Sequence, residues 1–257
     1  MTDELVHYSL ARGTATITLD SPHNRNALSG QLRRELRACL AEARDDEQVR
    51  VIVLTHTGSV FCAGMDLKEA CGAGAVDQGV NEFPEILDQI WTSPKPVVVR
   101  LAGTARAGGV GMVAAADIVV AARQVTFAFS EVRIGVVPAV ISLTVLPRIA
   151  PRAAQELFLT GEVFDAERAA GIGLITAAVD AEKLDDEVDR YVRALAMGGP
   201  RALAATKELL AGPKPATPSA GFAAMNALSA RFFASEEGQE GITAFAQKRK
   251  PRWVPGD

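Results

Sequence analysis

The sequence predicts an α/β fold that continues into a helical C-terminal part. Strand patterns alternate with helical patterns up to about residue 138, and helical patterns dominate beyond it. The chain has 257 residues, of which 48% are hydrophobic and 23% charged, a composition typical of folded globular domains. A chain of this length buries a large core without disulfides or metals. We therefore expect an α/β core over residues 1–198 and a helical part over residues 199–257.

The first half contains short apolar runs that are typical of strands. These runs predict strands at 15–19, 51–55, 96–101, 118–121 and 126–129. A helix is predicted over 29–44, with Ser29 as its N-cap, and a second over Phe83–Trp91, before Pro94. The repeated order strand, helix, strand favours parallel pairing.

The second half is dominated by amphipathic helical patterns. Helices are predicted at 139–149, 151–159, 166–171, 183–197 and 202–210, and a glycine- and proline-rich break follows at 212–218. Beyond the break, one apolar face recurs at helical spacing: Phe222, Met225, Leu228 and Phe232. This face is either part of the core or a subunit interface.

Charge, cysteine content and hydropathy exclude several classes of protein. The 27 basic and 31 acidic residues give a net charge of −4, which supplies no basic field for nucleic acid or an anionic membrane. Cys39, Cys62 and Cys71 form neither a disulfide framework nor a zinc motif. The N-terminus lacks a signal-peptide pattern, and the apolar run near 110–122 is shorter than the about 20 residues that span a bilayer. We expect a cytoplasmic protein without metal, nucleic-acid or membrane partners.

Two glycine-containing segments follow directly after buried strands. The first covers residues 58–68 and the second covers residues 102–112. Small residues allow sharp turns and close approach of a ligand, and backbone N–H groups at a helix start bind anions. Two such loops could aim two N–H donors at one oxygen. The alternative is that both loops are tight turns whose glycines serve packing alone.

Five motifs in order resemble the enoyl-CoA hydratase/isomerase (crotonase) superfamily, and the resemblance runs through most of the chain. The motifs are PHNRNAL at 22–28, FCAGMDL at 61–67, the Gly108-Gly109 loop before ADI at 116–118, FAFSEVRIG at 127–135, and EGQEGITAF at 237–245 followed by KRKP at 248–251. The resemblance implies a spiral of ββα turns. It also implies assembly as a trimer or a pair of trimers, with the helical C-terminal part in trimerisation, and an acyl-CoA thioester as substrate. Coenzyme A is then part of the substrate, and no further cofactor is expected.

The resemblance also implies three catalytic positions. The backbone N–H groups of Met65 and Gly108 would hold the thioester oxygen, because a reaction through an enolate places negative charge there. We expect Gly108 to need a positive φ. Glu131 falls at the position of the family's catalytic glutamate, and an apolar pocket would favour its neutral form, which suits acid/base work.

Residues for binding the coenzyme A part are implied by motif position. They are Arg25, Ala63, Asp66, Leu67, Lys68, Gly109, Phe245 and Lys248. The basic end, residues 248–253, would meet CoA phosphates across a subunit boundary, since Lys and Arg are good phosphate partners. The alternative is a solvated tail.

One departure from the best-known hydratases bears on the reaction. They carry a second glutamate where this chain has Gly111, so the usual pair of carboxylates that cradles the attacking water is absent. We expect the glycine to leave space that a substrate uses, and Asp77 or Glu82 to be weak candidates for a replacement acid. The glycine-rich segment 69–81 would border the acyl pocket, as a gate or as a surface loop. Hydration of a 2-enoyl-CoA is the first hypothesis. 3,2-Enoyl-CoA isomerisation is the second, and an acyl-CoA binder with little catalysis is the third.

Overall fold

Two sheets form the centre of the molecule, as seen in a computed structural model that describes residues 4–66, 69, 82–212 and 218–256. The larger sheet has six strands in the order β1-β2-β3-β5-β7-β10. Its strands are β1 (Val6–Ala11), β2 (Thr14–Leu19), β3 (Val51–His56), β5 (Val97–Leu101), β7 (Ile118–Ala122) and β10 (Ala177–Val179). The β1–β2 pair is antiparallel, and the other pairs are parallel.

The smaller sheet holds four strands, three of which are each entered directly from a strand of the larger sheet. These strands are β4 (Val60–Cys62), β6 (Thr104–Arg106), β8 (Thr126–Ala128) and β9 (Phe164–Asp165). The chain thus runs from β3 to β4, from β5 to β6 and from β7 to β8, each time before a helical segment. This repetition is a spiral of ββα turns, and it confirms the predicted fold class.

The helices cover the sheets and begin close to the predicted positions. They are α1 (Gly30–Asp45), α2 (Phe83–Trp91), α3 (Gly108–Ala115), α4 (Ala139–Val145), α5 (Pro151–Thr160), α6 (Ala166–Gly171) and α7 (Leu184–Ala196). Ser29 caps α1 as expected, since its hydroxyl oxygen accepts from the Leu32 N–H at 3.3 Å. Leu32, Leu36 and Leu40 of α1 are buried against the sheet, and the central strands are buried along most of their length.

The C-terminal helices are α8 (Pro200–Ala211), α9 (Pro218–Phe233) and α10 (Glu236–Ala246). Phe222 is 76% exposed and Met225 is 42% exposed, so the predicted apolar face of α9 does not belong to the core of this chain. Lys207 of α8, whose side chain is 13% exposed, contacts Asp117 at 2.5 Å, which ties this part to the α/β core. The division at residues 198/199 stays a prediction. None of the described helices is long and apolar enough to cross a membrane.

The sequence prediction missed most of the smaller sheet. Strands β4 and β6 lie inside the two segments that we expected to be loops, 58–68 and 102–112. Each strand is only three residues long and has a glycine within two residues of either end, so it shows no alternation that a sequence pattern could reveal.

Candidate active site

A cavity of about 470 Å³ lies between the segment 58–68, the start of α3 and the residues that follow β8. It gathers four of the predicted residues: Ala63, Met65, Gly108 and Glu131. The rest of its lining is largely apolar and consists of Phe83, Ala107, Ser130, Arg133, Ile134, Val136, Val137, Pro138, Ala139, Val140 and Ile141. Such a cavity suits an acyl chain with a few polar groups at the reacting end.

The two glycine-containing segments touch each other at Gly64. Its φ is +91°, and a Cβ added there would lie 2.9 Å from the Cβ of Ala107 and 3.5 Å from the nitrogen of Gly108. Only glycine combines that backbone conformation with that close approach. The backbone beside Met65 therefore lies directly against the start of α3.

The hydrogen bonds around Met65 and Gly108 show how each candidate donor is placed. Met65 forms an isolated parallel bridge with Leu28, in which the Leu28 N–H donates to the Gly64 carbonyl at 2.8 Å. A parallel bridge of this kind takes its hydrogen bonds from the residues before and after Met65. The N–H of Met65 itself is not used in it. Gly108 is the first residue of α3, where an N–H has no acceptor within its own helix. Among the described residues neither N–H has a protein acceptor, so the pair could bind one oxyanion.

The expected positive φ at Gly108 is wrong. The positive φ belongs instead to its neighbour Ala107, whose φ is 47° and whose ψ is −118°. A side chain at Gly108 is excluded by crowding, since a Cβ there would lie 2.9 Å from Leu28 Cδ1 and 3.1 Å from Phe83 Cζ. The glycine keeps the start of α3 open to the cavity.

Glu131 supplies an ionisable group within this apolar cavity. It lies in a short 3₁₀ segment, Ser130–Ile134, which follows β8. Its Oε2 atom is buried and has no hydrogen-bond partner among the described residues. Burial raises the pKa of the carboxyl above the usual range of a glutamate, because the loss of hydration outweighs a hydrogen bond from its own backbone that favours the charged form. A raised pKa suits a group that must both accept and return a proton.

The structure corrects the expectation that Gly111 leaves space for a substrate. A Cβ on Gly111 would lie 2.6 Å from the Cγ2 of Ile141, so that isoleucine already fills the space. Thr144 of the same helix donates to the Gly111 carbonyl at 3.1 Å and holds α4 against α3. Ile141 also lines the cavity. Its side chain takes space that a glutamate at position 111 would need.

Comparison with known proteins identifies the family. Residues 10–255 match the family model described as "Enoyl-CoA hydratase/isomerase". The chain belongs to this enoyl-CoA hydratase/isomerase family. It is 42% identical to a solved enoyl-CoA hydratase from Mycobacterium avium, with a TM-score of 0.74 and 98% and 100% of the two chains covered. A solved enoyl-CoA hydratase from Mycobacterium smegmatis gives 30% identity, a TM-score of 0.90 and 98% and 99% coverage. The carnitinyl-CoA dehydratase of Citrobacter koseri is 32% identical over 97% of this chain and 98% of its own.

Membership of the family makes acyl-CoA thioesters the substrates, and the structure places some of the residues predicted to bind the CoA part. Arg25 is exposed, and its carbonyl accepts from the Ala63 N–H at 3.1 Å, beside the cavity. Asp66 accepts from the Asn24 side chain at 3.2 Å. Gly109 does not line the cavity and packs on Cys62, whose carbonyl oxygen would lie 2.6 Å from a Cβ on that glycine. Leu67 and Lys68 lie outside the described residues.

The predicted C-terminal ligands of CoA lie away from this cavity. Phe245 of α10 is 87% exposed, Lys248 is exposed, and neither lines the cavity. Arg249 and Arg252 of the basic end are engaged by Glu240, and Arg249 contributes most to holding the pKa of that carboxyl at about 2. A role of Phe245 and Lys248 in binding the CoA part, outside this cavity or across a subunit boundary, therefore stays a prediction.

Of the two weak candidates for a replacement acid, the structure describes only Glu82. Glu82 pairs with Arg33 at 3.2 Å and does not line the cavity. Asp77 lies outside the described residues, as does the rest of the segment 69–81 apart from Glu69. The Glu69 carboxylate accepts from the Gly30 N–H at 2.9 Å, at the start of α1.

Sequence reasoning missed several residues that shape the site, namely Leu28, Phe83, Ile141 and Arg33. Arg33 carried a usable signal. It lies three residues before Leu36 and seven before Leu40, which places it on the buried face of α1. A charged residue at a buried helical position is a reason to look for its partners.

Proposed function

We propose that this enzyme adds water to the double bond of a 2-enoyl-CoA thioester, with Glu131 as its single acid/base group. The observation that carries the proposal is the buried Oε2 of Glu131, which has no hydrogen-bond partner among the described residues and belongs to a cavity that Met65 and Gly108 also line. Relatives named as enoyl-CoA hydratases, and one named as a carnitinyl-CoA dehydratase, support hydration or its reverse.

The two N–H groups act on the thioester oxygen. When water attacks C3, the electrons of the double bond move onto that oxygen and form an enolate. Donors that are already in place stabilise the new charge without reorganising, and removing one such donor typically costs about 10²–10³ in rate. The N–H of Gly108 also carries the positive end of α3, which favours an anion at this point.

Glu131 moves the proton in both halves of the reaction. Its carboxylate takes a proton from the attacking water as the oxygen of that water bonds to C3. The same carboxyl then gives its proton to C2, and the enolate returns to a thioester. One water is gained, and Glu131 ends as it began. The raised pKa suits both steps because it brings the carboxyl closer to the working pH.

A second candidate function is isomerisation of a 3-enoyl-CoA to a 2-enoyl-CoA, in which the double bond moves one position toward the thioester. Ile141 favours it, because this apolar side chain occupies the place where a second carboxylate would hold the attacking water. Isomerisation needs no water. Glu131 would take a proton from C2 of a 3-enoyl-CoA and return it at C4, with the same two N–H groups stabilising the dienolate.

Product masses separate these functions. The enzyme is incubated with a 2-enoyl-CoA and, separately, with the 3-enoyl-CoA of the same chain length, and each product is identified by mass spectrometry and retention time. Gain of one water by the 2-enoyl-CoA supports the hydratase. Conversion of the 3-enoyl-CoA at constant mass, with no water gained, supports the isomerase. If neither substrate is converted, the hydratase and the isomerase functions are both contradicted, and an acyl-CoA binder is favoured.

The proposal includes assembly in the cytoplasm as a homotrimer or a dimer of trimers. Exposed aromatic side chains on the last two helices support assembly, because Phe222, Phe233 and Phe245 are 76%, 65% and 87% exposed in a single chain. Sedimentation equilibrium gives the number of subunits. A monomer at micromolar concentration contradicts this part of the proposal and leaves the reaction untouched.

A further inference from the structure

Arg33 of α1 is a buried cation that binds two separate parts of the chain. It is only 5% exposed. Its Nη1 donates to the Leu28 carbonyl at 2.5 Å, and its Nε donates to Glu82 Oε2 at 3.2 Å. A buried guanidinium is costly unless it is paired, and its planar fork can hold two acceptors in a fixed relation. Here the two acceptors are far apart in the sequence, at Leu28 before α1 and at Glu82 before α2.

The first acceptor, Leu28, touches both candidate donors. Its N–H is bonded to the carbonyl of Gly64, next to Met65, and it forms the bridge with Met65. Its Cδ1 lies 2.9 Å from the point that a Cβ on Gly108 would take. A shift of Leu28 would therefore displace one donor relative to the other.

The second acceptor, Glu82, connects Arg33 to another residue that packs against Gly108. Glu82 directly precedes Phe83, the first residue of α2. The ring of Phe83 lines the cavity, and its Cζ lies 3.1 Å from the same Cβ position on Gly108. Arg33 thus joins the two residues that pack on the start of α3, although it does not itself line the cavity.

We propose that Arg33 is a positioning residue for the oxyanion site. By binding the Leu28 carbonyl and Glu82, it keeps these two groups in a fixed relative position. The N–H groups of Met65 and Gly108 then converge on one oxygen. The inference rests on the proposed function, because it takes those two N–H groups as the donors. Misplacing a donor by about 1 Å is enough to cost up to about 10² in rate. The geometry of the ground-state pocket changes much less.

The test compares Arg33→Met with the wild-type enzyme, using butyryl-CoA labelled with ¹³C at the thioester carbonyl. Isotope-edited infrared spectra of the complex report how strongly the two donors polarise that carbonyl. We expect the wild-type enzyme to lower the carbonyl frequency and Arg33→Met to lose most of that shift. The kcat for the enoyl-CoA substrate should fall by about tenfold or more, while the Kd for butyryl-CoA changes by less than about threefold.

Arg37→Met is the matched control, because Arg37 pairs with Glu85 between the same two helices, one turn further along. It should keep the carbonyl shift and the kcat of the wild-type enzyme. If Arg33→Met does not fold, Glu82→Ala decides instead, with Glu85→Ala as its control. A loss of kcat at constant Kd that is confined to Glu82→Ala supports the inference.

Two results separate this inference from the proposed function. The role of Arg33 would be overturned, and the proposed function left standing, if Arg33→Met retained the carbonyl shift and a kcat within twofold of wild type. The same holds for Glu82→Ala when that variant decides. Absence of any carbonyl shift in the wild-type complex would overturn the oxyanion site, and the inference with it.

Discussion

The Cγ2 methyl of Ile141 occupies the place of a side chain on Gly111, with 2.6 Å between that methyl and a Cβ built on the glycine. The two residues belong to neighbouring helices, α3 and α4, which are also joined by the hydrogen bond from Thr144 to the Gly111 carbonyl. Of the two residues only Ile141 lines the cavity, so its contact with Gly111 fixes the position of that part of the lining. A larger residue at 111 requires a smaller one at 141.

Gly111→Glu on its own should destabilise the enzyme. The added side chain meets Ile141, and overpacking of this kind typically costs about 1–3 kcal/mol. The double variant Gly111→Glu/Ile141→Ala should regain part of that loss, although Ile141→Ala alone leaves a cavity and costs about 2–5 kcal/mol. Thermal unfolding of the three variants measures the coupling. Strict additivity of the two single effects would show that the residues do not share this space.

The same double variant should change the reaction. A glutamate at 111 with room beside it can hold water together with Glu131, and two neighbouring carboxyls separate their pKa values into an acid and a base. We expect kcat/KM for hydration of a short, straight 2-enoyl-CoA to rise in Gly111→Glu/Ile141→Ala relative to Ile141→Ala. An unchanged ratio on straight and branched substrates would remove Gly111 from the active site.

Glu131→Gln should lower kcat by about 10² or more, the usual scale for losing a general acid/base group. The Kd of an unreactive acyl-CoA should barely change, because the proposed oxygen donors are backbone groups. Glu162→Gln, at an exposed carboxylate outside the cavity lining, is the matched control. Turnover of Glu131→Gln near that of the control would exclude Glu131 from the mechanism.

The raised pKa of Glu131 predicts the acidic limb of the pH profile. The carboxylate must be charged to take the first proton, so kcat/KM should fall as the pH drops through a pKa above the usual range of a glutamate. A profile that stays flat until the enzyme unfolds would contradict this assignment. Glu131→Gln should lack that limb in its residual activity.

The same pKa shift predicts an effect on stability. Burial favours the neutral carboxyl, so Glu131 stabilises the fold below its unfolded pKa, and that contribution is lost as the pH rises through the folded pKa. At neutral pH, Glu131→Gln should therefore be more stable than wild type, on the order of 1 kcal/mol or about 2–4 °C in Tm. The gain should vanish in acid. A lower Tm for the variant at pH 7 would show that the charge has a partner in the folded protein.

Gly108→Val should abolish most activity while the chain still folds. Its side chain would meet Leu28 and Phe83 and displace the start of α3, which removes one oxygen donor and costs about 10²–10³ in rate. Gly171→Ala is the control, because a Cβ there meets nothing within 4 Å. A Gly108→Val enzyme with the rate of the control would place the second donor elsewhere.

The apolar runs of β3, β5 and β7 could be predicted from the sequence, because they are local patterns. The ββα spiral and the grouping of Met65, Gly108 and Glu131 in one site were expected only from the family resemblance, since β4 and β6 show no pattern of their own. The Gly111–Ile141 contact could not be predicted, because it joins two helices across 30 positions of the chain. Arg33 is recognisable in the sequence as a cation on a buried helix face, but its acceptors could not be located before the fold was known.

Exchange of the C2 hydrogen of butyryl-CoA in D₂O tests the central claim most directly. This saturated thioester cannot gain water or move a double bond, so exchange requires only a base at C2 and donors at the thioester oxygen. The wild-type enzyme should incorporate deuterium at C2, and Glu131→Gln should do so slower by about 10² or more, at the same occupancy of bound ligand. Equal exchange rates in the two proteins would contradict the claim that Glu131 moves the proton.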